Sequence, residues 1–449
     1  MKSRLGEAGE AALLGGTRLE VRGAAWTADD SSSALALAED ARAGLETVWF
    51  RADTGSRAAL DARGRSILSG RGVFAEAVFL SVASDSATLT LEDSGAAGLN
   101  RAAALSGDAR WTGRRLQLRA RGGSTPLFSS ALRSQTVVEA SEVLARGPII
   151  AFDATNTSAV DLSDLRVRGG GALLRIRGES AARVTRVHAS GGIEAAPMFG
   201  GDLLGSYTGG ENPCRISGLN AELQQVQLNA DHVLIDGEPS AGLALCPGTV
   251  AHLRNVTVRG AEIGIYAECR GSCDTAGLIT TVTAQQLSLE GDPDTGATGF
   301  FQRGGRLDLQ GAVISGFADY GLYNWGSSIR AEDLIVEDIG ERWTAEIVDF
   351  DRFCSVSQTG LFRGPASAIF TETWESRFAL IQPTLTLERF RLRRAECAAI
   401  TMGFDGTFEA QDGEISENRR GLNYIRLAEP IVGENVIFRA NDLDIFRIL

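Results

Sequence analysis

A short motif that recurs along the chain constrains the fold more than any other feature of the sequence. The segment Leu309 to Asn324 reads Leu-Gln-Gly-Ala-Val-Ile-Ser-Gly-Phe-Ala-Asp-Tyr-Gly-Leu-Tyr-Asn. The segment from Leu253 reads Leu-Arg-Asn-Val-Thr-Val-Arg-Gly-Ala-Glu-Ile-Gly-Ile-Tyr-Ala. Both begin with an apolar-x-x-apolar-x-apolar run and continue, after a short turn, into Gly, an aliphatic residue and Tyr. Such self-similarity at a fixed period indicates a repeat architecture.

The period is too short for alternating strands and helices. The last three copies of the motif start at Leu387, Ala410 and Gly433, which are 23 residues apart. Short strands at this spacing leave no room for a crossover helix. Leucine-rich repeats have a similar period, but here their Asn is missing and a second Gly-aliphatic strand replaces the helical arc. The pattern resembles that of right-handed parallel β-helix proteins, the pectate-lyase-like superfamily, from about Thr17 onward, without matching a specific enzyme family.

The sequence therefore predicts an all-β fold, a single-domain right-handed parallel β-helix solenoid with a repeat length of 22–23 residues. We expect about 16 coils, each stabilised by its neighbours. The predicted boundaries are an N-terminal cap segment at 1–16 and a β-helix at 17–449. Loop-rich insertions are expected at 194–218 and 340–383.

Composition limits the partners. The chain has 44 basic and 57 acidic residues, a net charge of −13, and no basic patch stands out, so we predict no nucleic acid partner. No apolar run reaches the ~20 residues of a membrane helix, so we predict no membrane span in this chain. Because 43 of the 44 basic residues are arginine, a GC-rich bacterial source is favoured. The predicted partner is a polysaccharide or a cell-surface protein.

The six cysteines predict an oxidising compartment. Their even number in a loop-rich chain favours disulfides, with free buried thiols and a metal site as alternatives. Cys269-x-x-x-Cys273 lacks the second close pair that zinc requires, so no metal site is predicted. The N-terminus, Met-Lys-Ser-Arg-Leu, has no apolar core of a signal segment. We predict a secreted or cell-surface protein whose disulfide pairing stays open.

The second strand of each coil carries the candidate binding residues. If its aliphatic residue points inward, alternation points the next residue outward. Aromatic residues then occupy this outward position in four consecutive coils, about 5 Å apart, and form a platform on which sugar rings could stack. A lid formed by the aromatic-rich insertion 340–383 is the alternative, and lid and groove can coexist. The predicted ligand-binding residues are Tyr266, Phe301, Tyr323, Trp325 and Phe370.

Candidates for catalysis lie beside this column and in the insertion. They are Asp349, Asp351, Glu372, Glu268 and Arg303. The resemblance implies, for lyases, an acidic cluster that binds calcium and a basic residue that abstracts a proton; for hydrolases, it implies aspartates on one strand face. Calcium requires six or more oxygen ligands, so two aspartates are too few. The lyase motif Trp-Ile-Asp-His and the hydrolase motifs Asn-Thr-Asp, Asp-Asp and Gly-His-Gly are absent, and the alternative for 340–383 is a solvated loop with salt bridges.

Two classes of function follow. The leading hypothesis is a secreted or cell-surface bacterial module without a cofactor, which binds carbohydrate non-catalytically or serves as an adhesin or structural stalk. The alternative is a lyase, hydrolase or epimerase acting on an acidic polysaccharide, with calcium possible only for the lyase. An enzyme requires titratable groups that converge in a cleft. A binding module requires an open aromatic face, and a stalk requires neither.

Overall fold

A computed structural model describes the chain over residues 11–13, 16–28, 33–52, 58–77, 79–99, 101–120, 128–130, 137–146, 152–155, 159–170, 174–177, 181–193, 198–199, 226–237, 241–268, 279–292, 294, 296–340, 366–375, 380–402, 406–425 and 430–448. Every regular element in these ranges is a β-strand. Nothing described here forms a helix of the length and apolarity needed to cross a membrane. The chain divides into two compact units, Met1–Ala195 (unit 1) and Ala196–Leu449 (unit 2).

Unit 1 is a parallel β-helix whose successive coils pair in register. One sheet, the bent sheet, contains Arg18–Ala28, Arg42–Ala52, Ile67–Ala77, Thr88–Glu92, Gly95–Leu99, Arg110–Ala120, Val137–Arg146, Ala159–Ser163, Arg166–Gly170 and Ala181–Ile193. The other, the straight sheet, contains Ala11–Leu13, Leu35–Leu37, Leu60–Ala62, Phe79–Ala83, Arg101–Leu105, Phe128–Ser130, Phe152–Thr155 and Leu174–Arg177. Part of the predicted cap is thus a strand, because Ala11–Leu13 pairs with Leu35–Leu37.

Unit 2 repeats this arrangement. Its bent sheet contains Val226–Asp236, Thr249–Arg259, Thr281–Gln285, Ser288–Glu290, Arg306–Gln310, Val313–Ser315, Ser328–Glu332, Ile335–Ile339, Thr384–Ala395, Thr407–Ser416, Ile431–Val432 and Ile437–Arg439. Its straight sheet contains Met198–Phe199, Ala241–Leu245, Ile263–Glu268, Thr298–Arg303, Tyr320–Trp325, Ser367–Glu372, Ala398–Met402, Arg420–Ile425 and Leu443–Ile448. A two-stranded antiparallel ribbon, Trp374–Glu375 with Leu380–Ile381, stands apart from both sheets.

The predicted all-β parallel β-helix is confirmed by this parallel, in-register pairing. The right-handed sense, the count of about 16 coils, the single domain and the boundaries of cap and insertions stay predictions. Most of 194–218 and 340–383 lies outside the described residues.

The recurring motif marks a corner in the bent sheet. In Leu45-Glu-Thr-Val-Trp-Phe50, Thr47 has a φ of 54°, while Leu45, Val48 and Phe50 are buried. A left-handed residue shifts the alternation of side chains, so two outward residues separate two inward ones. The motif therefore bends at this residue and is not the straight first strand that the sequence suggests. In some coils the bend separates two strands, as it does between Thr281–Gln285 and Ser288–Glu290. The same conformation recurs at Gly23, Gly72, Asp93, Arg115, Glu142, Asp164, Arg186, His232, Asn255, Gln286, Gly311, Asp333, Arg389 and Asp412.

Ion pairs connect successive corners on the outside of the coil. Asp93 accepts hydrogen bonds from Arg115 at 2.5 Å and from Arg71 at 3.0 Å. The hydrogen bond from Arg115 is the largest cause that lowers the pKa of Asp93, to about 2. In unit 2, Asp231 accepts a bond from Arg254 at 2.9 Å. The side chains of these pairs are partly exposed to solvent, so each pair contributes little to stability, but together they order the corner side chains.

Candidate functional site

The straight sheet of unit 2 aligns the predicted aromatic column. Tyr266, Phe301, Tyr323 and Phe370 are consecutive register partners. Two residues further along the same strands, Glu268, Arg303, Trp325 and Glu372 also pair in register. We call the following set the aromatic–acid cluster: Tyr266, Glu268, Phe301, Arg303, Tyr320, Tyr323, Trp325, Phe370 and Glu372.

The column is not the fully open aromatic face that one of the two sequence interpretations requires. Tyr266 is 7% exposed and Phe370 is 1% exposed, while Phe301, Tyr323 and Trp325 are half-buried. Tyr266 packs in an apolar cluster with the small residues Ala241, Ala244 and Cys246. Tyr266 and Phe370 are therefore not open to solvent, while most of the insertion that the lid alternative places over the column lies outside the described residues.

The rings pack against one another instead of forming a flat platform. Tyr266 and Phe301 are stacked, with centroids 4.9 Å apart and planes at 7°. Phe301 meets Tyr323 edge to face at 5.1 Å and 83°, and Tyr323 meets Phe370 in the same way at 5.2 Å and 88°. Each such pair contributes about 0.5–1.5 kcal/mol beyond its burial. The alternating orientation indicates that much of this column serves internal packing.

Tyr320 is a member of the cluster that the sequence analysis missed. Its ring centroid lies 5.0 Å from that of Tyr323 and 5.1 Å from that of Phe370. Strict alternation would put Tyr320 and Tyr323 on opposite faces of the strand, because they are three residues apart. The alternation is interrupted at Gly321, so the two rings lie side by side. A Cβ at Gly321 would lie 2.2 Å from the Val336 side chain, so the backbone approaches the core closely here. The sequence feature that could have revealed this position of Tyr320 is the Gly-aliphatic pair that begins each second strand.

One end of the cluster combines a carboxylate, a guanidinium and an indole. Tyr266 Oη donates to Glu268 Oε2 at 2.8 Å, and Arg303 Nη1 donates to Glu268 Oε1 at 3.1 Å. The Arg303 guanidinium lies 4.4 Å from the centroid of the Trp325 ring, a cation–π contact. The Arg303 side chain is 26% exposed, whereas that of Glu268 is 6% exposed. Arg303 and Trp325 thus form the solvent-accessible end of the cluster.

The other end is a phenol–carboxyl pair. Tyr323 Oη donates to Glu372 Oε1. Burial raises the pKa of Glu372 above its ordinary value, against the lowering effect of the Tyr323 hydrogen bond. Burial, together with the charge of Glu372, also raises the pKa of Tyr323. Glu372 therefore accepts a proton more readily than a solvated carboxylate, which is the property of a general base.

Buried polar side chains hold the strand ends on which Arg303 and Trp325 lie. Gln302 Nε2 donates to the Gly304 carbonyl at 2.5 Å. Asn324 Oδ1 accepts a bond from the Ser327 backbone N–H at 2.9 Å, and Ser327 Oγ donates to the Gln302 carbonyl at 3.1 Å. Gln302 and Asn324 are fully buried. These bonds satisfy buried polar groups that would be costly to leave without a partner, and they fix the turns that follow Arg303 and Trp325.

The remaining catalytic candidates, Asp349 and Asp351, lie outside the described residues. Within the described part of the chain, no group of three or more His, Cys, Asp or Glu side chains is placed to hold a metal ion. The described cysteines, Cys246 and Cys397, are both disulfide-bonded.

No protein-family model matches the chain, and no characterised protein matches it in sequence. Similar solved structures include the periplasmic alginate epimerase AlgG, with a TM-score of 0.38 and 8% identity, over 90% of this chain and 78% of that one. They also include the A-module of mannuronan C-5 epimerase AlgE6 from Azotobacter vinelandii, with a TM-score of 0.32 and 12% identity, over 98% of this chain and 91% of that one. At such low TM-scores neither likeness bears on activity.

Proposed function

We propose that this chain is a β-helix protein that binds an acidic polysaccharide at the Arg303–Trp325 end of the aromatic–acid cluster. The observation that supports this proposal most directly is the position of the Arg303 guanidinium. It is held between Glu268 and the face of Trp325, and it remains partly exposed.

Arg303 and Trp325 match the two chemical features of a uronate unit. A planar guanidinium recognises a carboxylate through directed hydrogen bonds. An indole face offers a large apolar surface on which the C–H face of a sugar ring can rest. Because Glu268 and the interior bonds of the turns orient both side chains before a ligand arrives, little conformational entropy is lost on binding.

The disulfide bonds of Cys246 and Cys397 support a location where such polysaccharides occur. Disulfides persist in secreted, periplasmic and cell-surface proteins and are rare in the reducing cytosol. We therefore propose a secreted or cell-surface location. An adhesin or structural stalk remains a variant of this proposal in which the partner is a cell-surface protein.

Calorimetric titration with a hexa-uronate tests the binding site. Arg303→Gln and Trp325→Ala should each weaken binding about tenfold, equivalent to the loss of one good contact. Arg306→Gln is the matched control, because Arg306 is exposed and lies just beyond the same turn. A neutral hexasaccharide should bind more weakly than the uronate. Binding that is identical for wild type, Arg303→Gln and Trp325→Ala would exclude this site.

A second candidate function is proton transfer at C5 of a uronate, and the Tyr323–Glu372 pair favours it. A base removes the C5 proton while a cation neutralises the adjacent carboxylate. Return of a proton to the opposite face gives epimerisation, whereas loss of the C4 oxygen gives chain cleavage with an unsaturated end. Glu372, with its raised pKa, is the candidate base, Tyr323 the candidate acid and Arg303 the candidate cation.

Incubation of the polymer in D₂O distinguishes binding from catalysis. An epimerase should place deuterium at C5, and a lyase should produce ultraviolet-absorbing ends. Both signals should disappear in Glu372→Gln while uronate binding persists. If wild-type protein binds the polymer and neither signal develops, the catalytic candidate is wrong and the binding proposal stands.

A further inference from the structure

Two exposed aromatic side chains lie next to each other on the bent sheet of unit 1. Trp49 and Phe74 are register partners on adjacent coils and are 49% and 43% exposed. Their ring centroids are 6.3 Å apart and their planes differ by 25°. They lie on the strand that follows the corner, on a different sheet from the straight-sheet column of the aromatic–acid cluster.

A groove opens beside Phe74 because the next position in the column is glycine. Gly95 follows Phe74 in register, and Gln117 follows Gly95. The resulting cavity of about 580 Å³ is lined by Trp49, Phe74, Gly95, Arg115, Gln117 and Arg119, among others. Its volume is in the range of small-molecule binding sites.

The charge around the groove favours an anion. Arg119, Arg146 and Arg168 are consecutive register partners two residues beyond the aromatic column. Arg119, Arg168 and the neighbouring Arg166 are exposed. Within the described part of the chain, no ion pair is formed by Arg119, Arg166 or Arg168. Exposed guanidinium groups without an acidic partner stabilise an anion placed beside them.

Acidic residues near the groove do not cancel this charge. Asp93, which lines the groove, is already bound by Arg115 and Arg71. Glu76 is exposed and lies between Arg51 and Ala97 in register, two residues beyond Phe74. Its carboxylate can accept hydrogen bonds from hydroxyl groups. The groove thus offers aromatic faces, an amide, a carboxylate and guanidinium groups within one strip of sheet.

We propose that this groove is a second binding site, and that it takes an oligosaccharide with uronate carboxylates. Sugar rings rest on Phe74 and Trp49 and over Gly95, hydroxyl groups bond to Gln117 and Glu76, and a carboxylate bonds to Arg119. A single-stranded nucleic acid also carries rings and anions. We favour the uronate because its rings carry hydroxyl groups that match Gln117 and Glu76, whereas the net charge of −13 gives no general attraction for a polyphosphate. The proposal stands on residues separate from those of the Arg303–Trp325 site.

Two variants test the groove in opposite ways. Trp49→Ala removes an exposed ring, and Gly95→Gln fills the floor without removing any charge or ring. A Cβ at Gly95 meets the Gln117 carbonyl and Phe74 at 3.4 Å, an ordinary contact, so the fold should persist. Each variant should weaken binding of a fluorescent hexa-uronate about tenfold, and Arg119→Gln about threefold with a lower salt dependence. Ile67→Ala and Arg42→Gln are exposed controls in the same unit and should bind as wild type.

Measurements on the full chain at matched melting temperature separate the two sites. If both sites bind, titration of the wild type counts two sites; Trp49→Ala and Gly95→Gln each lose one of them, and Arg303→Gln loses the other. A single site that only the groove variants weaken supports the groove and argues against the unit 2 site. A single site that only Arg303→Gln weakens overturns the groove and leaves the unit 2 site intact. Wild-type-like uronate binding in both groove variants, or preferential binding of a single-stranded oligonucleotide at 150 mM salt, also overturns the proposal.

Discussion

The two units place aromatic side chains on the outside of the same repeat in opposite surroundings. In unit 2, Tyr266 and Phe370 are 7% and 1% exposed and pack ring on ring with their neighbours. In unit 1, Trp49 and Phe74 are 49% and 43% exposed. Both sets are in-register columns, so alignment along the solenoid does not decide between packing and a ligand surface. The neighbouring side chains decide whether a column is packed or open to a ligand.

The charged groups of the aromatic–acid cluster and those beside the unit 1 groove also differ. In unit 2, the carboxylates are engaged inside the cluster, Glu268 by Arg303 and Glu372 by Tyr323. In unit 1, exposed arginines such as Arg119 and Arg168 form no ion pair within the described ranges. A group with a buried partner, as Arg303 has in Glu268, is held in position before a ligand arrives, whereas an exposed group without a partner has its full charge available to a ligand.

Truncation of one ring in each column should give the largest contrast. Phe370→Ala leaves a cavity in a fully buried site and should lower the free energy of unfolding by about 3–5 kcal/mol. Phe74→Ala removes an exposed ring and should cost less than about 1.5 kcal/mol. Urea denaturation followed by tryptophan fluorescence measures both. Equal losses would mean that the two columns do not differ in packing.

Removal of the Tyr323 hydroxyl should have a smaller effect. Tyr323→Phe keeps the ring contacts but leaves the largely buried Glu372 without its donor, which costs about 1–3 kcal/mol. Arg119→Gln, an exposed change in unit 1, should stay within about 0.5 kcal/mol of wild type. Thermal unfolding at pH 7 compares them. A neutral Tyr323→Phe variant would show that the phenol does not stabilise Glu372.

The raised pKa of Glu372 gives a pH dependence with a definite sign. The folded protein holds this proton to higher pH than the unfolded chain does. Its contribution to stability is therefore complete below the unfolded-state pKa of about 4.3 and falls as the pH rises through the folded-state value. Glu372→Gln should match wild type near pH 4 and exceed it by roughly 1 kcal/mol at pH 8. A constant difference between melting curves from pH 4 to 8 would contradict this.

The smallest effect is expected at the exposed corner of unit 1, with the opposite sign. Asp93 has its pKa lowered to about 2 by its hydrogen bond with Arg115. Its stabilising contribution is present above the unfolded-state value of about 3.9 and is lost as the pH falls toward about 2. Melting temperatures of Asp93→Asn and wild type should converge over that interval. Glu76→Gln, an exposed carboxylate without an ion pair among the described residues, serves as the control.

The sequence by itself determined the repeat, its register and the identity of the in-register columns. The aromatic column aligns as expected at Tyr266, Phe301, Tyr323 and Phe370. This alignment is predictable because strand alternation and a constant repeat length are local properties of the chain. The bend escaped detection because one left-handed residue per coil, such as Thr47, has no fixed residue type. Tyr320 escaped because Gly321 breaks the alternation.

Only the tertiary structure decided which columns are buried and which are open. Burial of an outward ring depends on side chains one coil away, about 22 residues distant in sequence, and on how their volumes fit. Small residues pack against Tyr266 and the ring of Tyr320 packs against Phe370, whereas Gly95 leaves a gap beside Phe74. The periodicity of a strand specifies the direction of a side chain, but it carries no information about what lies against it.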